Sequence, residues 1–257
     1  MPADGGAIIE AYRQSRVPLT ILPLNQLWEQ LAGKSGRTLT EQQQAQLEQY
    51  LDLLLDANRM MNLTRIVDRE QAATGHVGDA LTLLPMIPPQ TRRLADIGSG
   101  GGVPGLVLAI VLPETSVTLI EATQKKAAFL QTASDKLGLT NVRVLPVRAE
   151  DVGHSADRES FDIVTARATG ELVFLVEWCM PLLRKGGKLL AMKGQKAAEE
   201  LLGARKAVHV LAGGEPVVHP VELPGADHHV IVAIPKLGTC LMQYPRRATI
   251  AKGKPIA

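Results

Sequence analysis

Aromatic side chains are scarce in this chain, at 3% of its 257 residues. That leaves too few rings for a surface that grips single strands chiefly by stacking bases. Cysteine is almost missing. Cys179 and Cys240 can build neither a disulfide framework nor a four-thiolate zinc site. They read instead as small buried hydrophobes in a reducing compartment. No apolar run approaches the ~20 residues that span a bilayer. Residues 1–10 carry acids and no basic segment leading into an apolar one, so no secretory signal is expected there. Neither charge is in excess: Lys plus Arg is 28, Asp plus Glu is 26, and the net charge is +2. This excludes a uniformly basic coat for nucleic acid but not a local basic patch. Together these absences predict a soluble cytoplasmic protein that binds no membrane.

What is present is an ordinary globular composition, with 46% hydrophobic and 21% charged residues, in a chain long enough to bury a core. Residues 1–22 show no period and are expected to form a poorly ordered extension. From 23 to 90 the pattern is helical. Leu24, Leu27 and Leu31 suit a short helix ended by Gly33. Thr40-Glu41-Gln42-Gln43 is a capping box ahead of an apolar stripe through Leu47, Tyr50, Leu51, Leu54 and Leu55. A further helix is expected over 68–84, before Pro85, Pro88 and Pro89.

The character changes at Thr91. Strand candidates at 94–97, 117–120, 142–145, 161–164 and 189–192 alternate with helical stretches at 105–112, 124–137, 171–183 and 199–207. Residues 217–223 and 230–234 read as a terminal antiparallel pair. This alternation predicts an α/β fold over 91–235, with a mostly parallel seven-stranded sheet covered on both faces and preceded by the helical segment. Residues 236–257 hold Lys236, Arg246, Arg247, Lys252 and Lys254 and no acid, and are expected to form a basic tail.

The most informative stretch is Asp96-Ile97-Gly98-Ser99-Gly100-Gly101-Gly102-Val103-Pro104-Gly105. It follows a strand and opens a helix, where main chain must turn sharply and let a ligand approach, and Pro104 suits a first helical turn. Two glycine registers coexist. Asp-x-Gly-x-Gly-x-Gly, through Asp96, Gly98, Gly100 and Gly102, is the pattern of S-adenosylmethionine (AdoMet) methyltransferases. Gly-x-Gly-x-x-Gly, through Gly100, Gly102 and Gly105, would fit a dinucleotide. The carboxylate of Asp96 favours the first, because it would repel a pyrophosphate but can take the amino-acid end of AdoMet. Glu121, at the end of the second strand, can accept from both ribose hydroxyls. Ala149 and Glu150, after the third strand, can read adenine through a backbone amide and a carboxylate.

Together with this loop, Met61-Asn62-Leu63-Thr64, His76-Val77-Gly78-Asp79-Ala80, Ala166-Arg167-Ala168, Met192-Lys193-Gly194-Gln195 and Tyr244-Pro245-Arg246-Arg247 carry a family resemblance. From about residue 24 to its end the chain resembles the 16S rRNA guanine-N7 methyltransferase G family, also called glucose-inhibited division protein B. The resemblance implies a Rossmann-like AdoMet domain behind a helical segment. It implies methyl transfer to N7 of one guanine, position 527 in the 530 loop of 16S rRNA, with free 16S rRNA or the small ribosomal subunit as partner; a monomer is expected. It implies cofactor contacts at Gly98, Val103, Ala149, Glu150 and Arg167. Family members often carry a bulky aliphatic residue and a serine where this chain has Gly78 and Ala80.

N7 of guanine has a free lone pair and no proton to lose, so no general base is required. His76, Asp79, Arg167 and Lys193 are the candidates around the target, with Arg167 able to donate to guanine O6 or to a phosphate. Arg246, Arg247, Lys252 and Lys254 are candidates for gripping rRNA phosphates. His228 and His229 lack partners at metal-ligand spacing, and no metal is expected. The competing readings are an NAD-type oxidoreductase using Gly100, Gly102 and Gly105, a non-catalytic rRNA-binding assembly factor, and a small-molecule methyltransferase.

Overall fold

The computed structural model describes residues 23–226 and 228–256; the extension expected over 1–22 lies outside them. The helical segment forms as its pattern predicts. In α1 (Leu24–Gly33) the side chains of Leu27, Trp28, Leu31 and Ala32 are buried. In α2 (Glu41–Met61) the capping box closes: Gln43 N donates to Thr40 Oγ1 at 3.2 Å, and Thr40 N donates to Gln43 Oε1 at 3.0 Å. Leu47, Tyr50, Leu51 and Leu54 are buried, Leu55 only partly.

The single helix expected over 68–84 is instead three pieces. Asp68 caps α3 (Arg69–Ala72), a π-helical turn follows over Ala73–Gly78, and α4 (Asp79–Leu81) resumes before the prolines. An inserted π turn shifts the side-chain register in a way a 3.6-residue period does not show, and such turns gather at functional sites. A Cβ on Gly78 would lie 3.1 Å from Leu223 and 3.6 Å from Leu31. In this chain two leucines fill the room that a bulkier residue would need.

Seven strands follow: β1 (Arg93–Ile97), β2 (Ser116–Ile120), β3 (Val142–Leu145), β4 (Phe161–Arg167), β5 (Leu183–Lys193), β6 (Val217–Pro220) and β7 (Val230–Pro235). They lie in the order β3-β2-β1-β4-β5-β7-β6, parallel except that β7 runs against β5 and β6. The strand order reverses between β1 and β4, and the crevice at their carboxyl ends is where open α/β sheets bind ligands. Helices α5 (Gly105–Val111) and α6 (Gln124–Lys136) cover one face; α7 (Ala149–Val152), α8 (Leu172–Cys179) and α9 (Ala197–Val210) cover the other. Pro104 stands just before α5 rather than inside it. The helix expected to run to 183 ends at Cys179, and its last residues enter β5 through a short 3-10 turn, Met180–Leu182.

The expected boundary at residue 90 is not a break in packing. Residues from α1 and α2 share one hydrophobic cluster with α5, α6 and β2. Gln43 and Gln46 of α2 donate across it to Ile110 O and Leu137 O.

The segment after Pro235 also departs from expectation. It docks on the β4 side and ends in a helix, α10 (Ala248–Gly253), with Tyr244, Ala251 and Ile256 buried. Arg158 donates to the carbonyls of Cys240, Leu241 and Tyr244, and His154 Nε2 lies 2.7 Å from Pro245 O. Lys236, counted among the tail's positive charges, is 1% exposed. Local composition cannot reveal such docking, because each anchoring partner is far away in sequence.

Candidate functional site

An open cleft of about 1410 Å³ lies at the carboxyl ends of β1, β2 and β4. That exceeds the ~300–1,000 Å³ usual for one small ligand, leaving room for two. One wall is the loop after β1. Gly98 and Gly100 hold left-handed backbone, at φ +69° and +55°, which glycine alone adopts without strain. A Cβ on Gly100 would meet nothing nearer than Gly98 O at 3.7 Å, so the space beside it is open cleft. The loop is braced from behind by α2. Tyr50 Oη donates to Gly101 O at 2.8 Å, and a Cβ on Gly101 would lie 2.7 Å from Leu54. Glu121 follows β2 and holds the loop in shape, accepting from Gly100 N at 3.0 Å and from Thr123 N at 2.7 Å. Val103, Ala149 and Glu150 complete this end. Glu150 also accepts from Ala248 N at 3.1 Å, tying α10 to the cleft.

At the other end, the π turn and β4 bring three of the expected residues together. Arg167 Nε donates to Asp79 Oδ2 at 2.9 Å, its Nη2 donates to Gly75 O at 2.8 Å, and its Nη1 lies 3.4 Å from His76 Nδ1. His76 Nε2 is 2.7 Å from Thr64 Oγ1. His229 joins them, with Nδ1 3.4 Å from Asp79 Oδ1. Sequence reasoning weighs His229 only as a metal ligand and passes over its partnership with Asp79, which lies 150 residues away. Lys193 is not the solvated side chain a surface lysine would be. Its Nζ donates to Gly170 O at 2.7 Å and pairs with Glu200 at 2.6 Å, and its side chain is 9% exposed.

Two comparisons fix the family. A model of the family described as rRNA small subunit methyltransferase G matches residues 43–229. The ribosomal RNA small subunit methyltransferase G of Chloroflexus aggregans is 44% identical over 86% of this chain and 93% of its own length. That of Sorangium cellulosum is 48% identical over 75% and 83%. The chain belongs to the rRNA small subunit methyltransferase G family.

Among solved structures, cofactor-bound Rv0187 from MTB shares the fold, with a TM-score of 0.54 at 20% identity over 74% of this chain and 90% of that one. The methyltransferase uses AdoMet, and its residues fit that cofactor: main chain at Gly98 and Gly100 lining the cleft, with the Cβ side of Gly100 open and that of Gly98 closed by Thr169, a carboxylate after β2, and Ala149–Glu150 after β3. The dinucleotide register does not hold. A Cβ on Gly102 would lie 2.6 Å from Leu106, and one on Gly105 would lie 2.3 Å from Leu119. Neither residue lines the cleft. Gly102 takes the left-handed backbone of a turn, at φ +95°, with its Cβ side closed by Leu106.

Asp96 is turned inward as well. Its carboxylate is 1% exposed and does not line the cleft. It accepts from Thr165 Oγ1 at 2.9 Å and from Gly105 N at 3.2 Å, and so braces the loop from within. Burial pushes its carboxyl up to about 6, against the hydrogen bonds from Thr165, Ser99 and Gly105. The folded protein therefore holds this proton more tightly than the unfolded chain. The cost of ionising Asp96 in place is absent below about pH 3.8 and complete above about pH 6. Asp96→Asn is accordingly expected to gain about 3 kcal/mol relative to wild type between those limits. Urea denaturation of both proteins at pH 4 and pH 7 measures the difference; an unchanged gap would show that Asp96 is not buried.

His76 shifts the opposite way. Burial, and then the neighbouring Arg167, push it down to about 4. It is neutral at pH 7, with Nδ1 facing the guanidinium as an acceptor and the proton assigned to Nε2. His229 moves up, chiefly through its hydrogen bond to Asp79.

Arg246 is anchored to the body of the protein rather than loose in a tail. Its guanidinium forks onto Glu177, Nε to Oε1 and Nη2 to Oε2, both at 2.7 Å, and Glu177 is 1% exposed. Arg246→Ala would leave that carboxylate buried and unpaired, a loss of about 3–5 kcal/mol of stability. Arg247, Lys252 and Lys254 are exposed. Lys252 lines the cleft, as do Arg65, Lys126, Arg148 and Lys196, a basic rim that the tail-centred reading misses. Replacing Arg247, Lys252 and Lys254 together by alanine is expected to weaken RNA binding while leaving AdoMet affinity and folding intact. The log–log salt slope should become shallower by about 0.7–0.9 for each phosphate that is no longer neutralised. Filter binding at several salt concentrations checks it, and an unchanged slope would remove these residues from the interface.

Proposed function

We propose that this methyltransferase transfers the methyl group of AdoMet to N7 of guanine 527, in the 530 loop of 16S rRNA. In this reading it acts in the cytoplasm, as a monomer, on 16S rRNA or the small ribosomal subunit. The observation that carries the reading is the cluster at the end of β4. A cationic donor, Arg167, faces the cleft, and the groups around it are engaged with one another, His229 with Asp79 among them. His76 is neutral and held between Thr64 and Arg167, and Asp79 is ion-paired. Methylation at N7 removes no proton and needs only a donor that holds the guanine, which Arg167 supplies, whereas an exocyclic amine would have to lose a proton.

When bound, AdoMet supplies an electrophilic methyl group on a sulfonium. The chain's own residues then act by placement. Gly98 and Gly100 let the main chain lie against the donor, and Glu121, fixed by two amides, keeps lone pairs for the ribose hydroxyls. Arg167 spends one N–H on each of Asp79, Gly75 O and His76. One N–H on each terminal nitrogen remains for guanine O6 or a phosphate. Its ion pair and the π turn fix that fork, and orientation of this kind can supply roughly 7–11 kcal/mol toward a displacement. Lys193, locked to Glu200, positions the rim beside β5 rather than touching the reacting atoms.

Borohydride–aniline cleavage of 16S rRNA detects N7-methylguanine. After incubation with the protein and AdoMet, one new cleavage at guanine 527 is expected. No cleavage, or methylation on a ring amine, would contradict the reading and return the assembly-factor alternative.

A further inference from the structure

A buried lysine and a buried cysteine meet where the chain leaves the sheet, away from the cleft. Lys236, the residue after β7, is 1% exposed, and Cys240 is 6% exposed. Lys236 Nζ donates to Met180 O at 2.7 Å, and Glu159 Oε1 lies 3.8 Å away. Glu159 Oε1 also accepts from Cys240 N at 2.7 Å, and Cys240 Sγ lies 3.2 Å from Leu211 O. Lys236 Nζ and Cys240 Sγ are 2.6 Å apart.

That separation is the informative quantity. Non-bonded heavy atoms rest most favourably at about 3.5–4.0 Å, and even N–H···O hydrogen bonds centre near about 2.9 Å. Sulfur is larger than oxygen, so a hydrogen bond to it is longer still. A nitrogen and a sulfur this close are at the spacing of two atoms that share a single bridging atom. One oxygen joined to both by single bonds at a bent angle spans about this distance. A direct N–S bond would be much shorter.

We propose that Lys236 and Cys240 form an oxidative N–O–S cross-link, with a peroxide as oxidant. The Cys240 sulfur attacks one peroxide oxygen while the thiol proton passes to the departing hydroxide, giving a sulfenic acid and water. The amine, having passed a proton to Glu159, attacks a second peroxide, giving a hydroxylamine and water. The hydroxylamine oxygen then displaces the sulfenic hydroxyl as a third water, leaving N–O–S. Sulfur and nitrogen each lose two electrons, and two peroxides accept the four. Burial pushes the Cys240 thiol up and Lys236 draws it down, so proximity rather than a standing thiolate drives the reaction. The product staples the turn from Lys236 to Cys240 at the root of the segment that carries Arg247 and Lys252, and it removes a buried charge.

The full chain, treated with graded hydrogen peroxide and digested with trypsin, tests this by mass spectrometry. A peptide uncut after Lys236 and heavier by about 14 Da, one oxygen gained and two hydrogens lost, is expected. Dithiothreitol should restore cleavage, and neither Cys240→Ser nor Lys236→Arg should form the product. Cys179 in the same digest is the internal control. Cys240 carrying oxygen while trypsin still cuts after Lys236 would overturn the proposal. So would a peptide lighter by about 2 Da, the direct sulfur–nitrogen bond. An unmodified pair at peroxide concentrations that oxidise the methionines would overturn it as well. The wild-type digest alone decides between these outcomes, whether or not either variant folds.

Discussion

Gly100→Val is expected to weaken AdoMet binding by at least about 100-fold, or about 2.8 kcal/mol, with the rest of the protein folded. Two effects act together. The backbone at Gly100 is left-handed, at φ +55°, which costs a β-branched residue about 1–3 kcal/mol. The new side chain then projects into space that no protein atom fills, which is where the cofactor must lie. Gly102→Ala makes the contrast. Its Cβ meets Leu106, behind the loop, so the variant should lose stability and keep more of its AdoMet affinity per folded molecule. Calorimetric titration of both, each beside a melting curve, separates a cradle from a turn. Normal affinity in Gly100→Val would place the cofactor elsewhere.

Arg167→Ala is expected to reduce methyl transfer by about 10²–10³-fold, and also to destabilise the fold. Asp79 is 1% exposed, and removing its partner strands a buried carboxylate at a cost of about 3–5 kcal/mol. The two consequences can be pulled apart. Replacing both partners, Asp79→Leu with Arg167→Met, leaves no unpaired charge and should recover most of the stability while transfer stays lost. Arg167→Lys keeps the charge but not the planar fork, so it should recover little activity. Single-turnover transfer to 16S rRNA, read alongside denaturation, gives both numbers. If the double variant regained activity with stability, Arg167 would be a scaffold residue only.

Much of this site can be read from short-range pattern. The glycine loop announces itself because a strand-to-helix turn in left-handed backbone restricts residue choice to glycine at alternate positions, Gly98, Gly100 and Gly102. The capping box at Thr40 is legible for a similar reason, since both of its hydrogen bonds lie within four residues. Where partners are distant, pattern fails. Arg246 looks like one cation of a basic tail until Glu177, 69 residues away, is seen beneath it. Asp96 has the spacing of a cofactor acid, but spacing along a strand does not reveal which way a carboxylate turns at the strand's end. Here Gly105 N and Thr165 Oγ1 turn it inward. The π turn over Ala73–Gly78 escapes a search for helical period because it adds a residue to the turn, and by doing so it sets His76 and Asp79 beside Arg167. Alternation of strand and helix gives the parallel sheet, whereas the docking of residues 236–256 depends on carbonyls that Arg158 gathers from the far side of a loop.

The most direct measurement is a crystal structure of the protein soaked with S-adenosylhomocysteine, the demethylated product of the donor. Density is expected along Gly98 and Gly100, with ribose hydroxyls on Glu121 and the sulfur turned toward the lip where Arg167 stands. A cleft in which the ligand avoids the loop, or binds with Glu121 and Arg167 both out of reach, would contradict this placement of the donor.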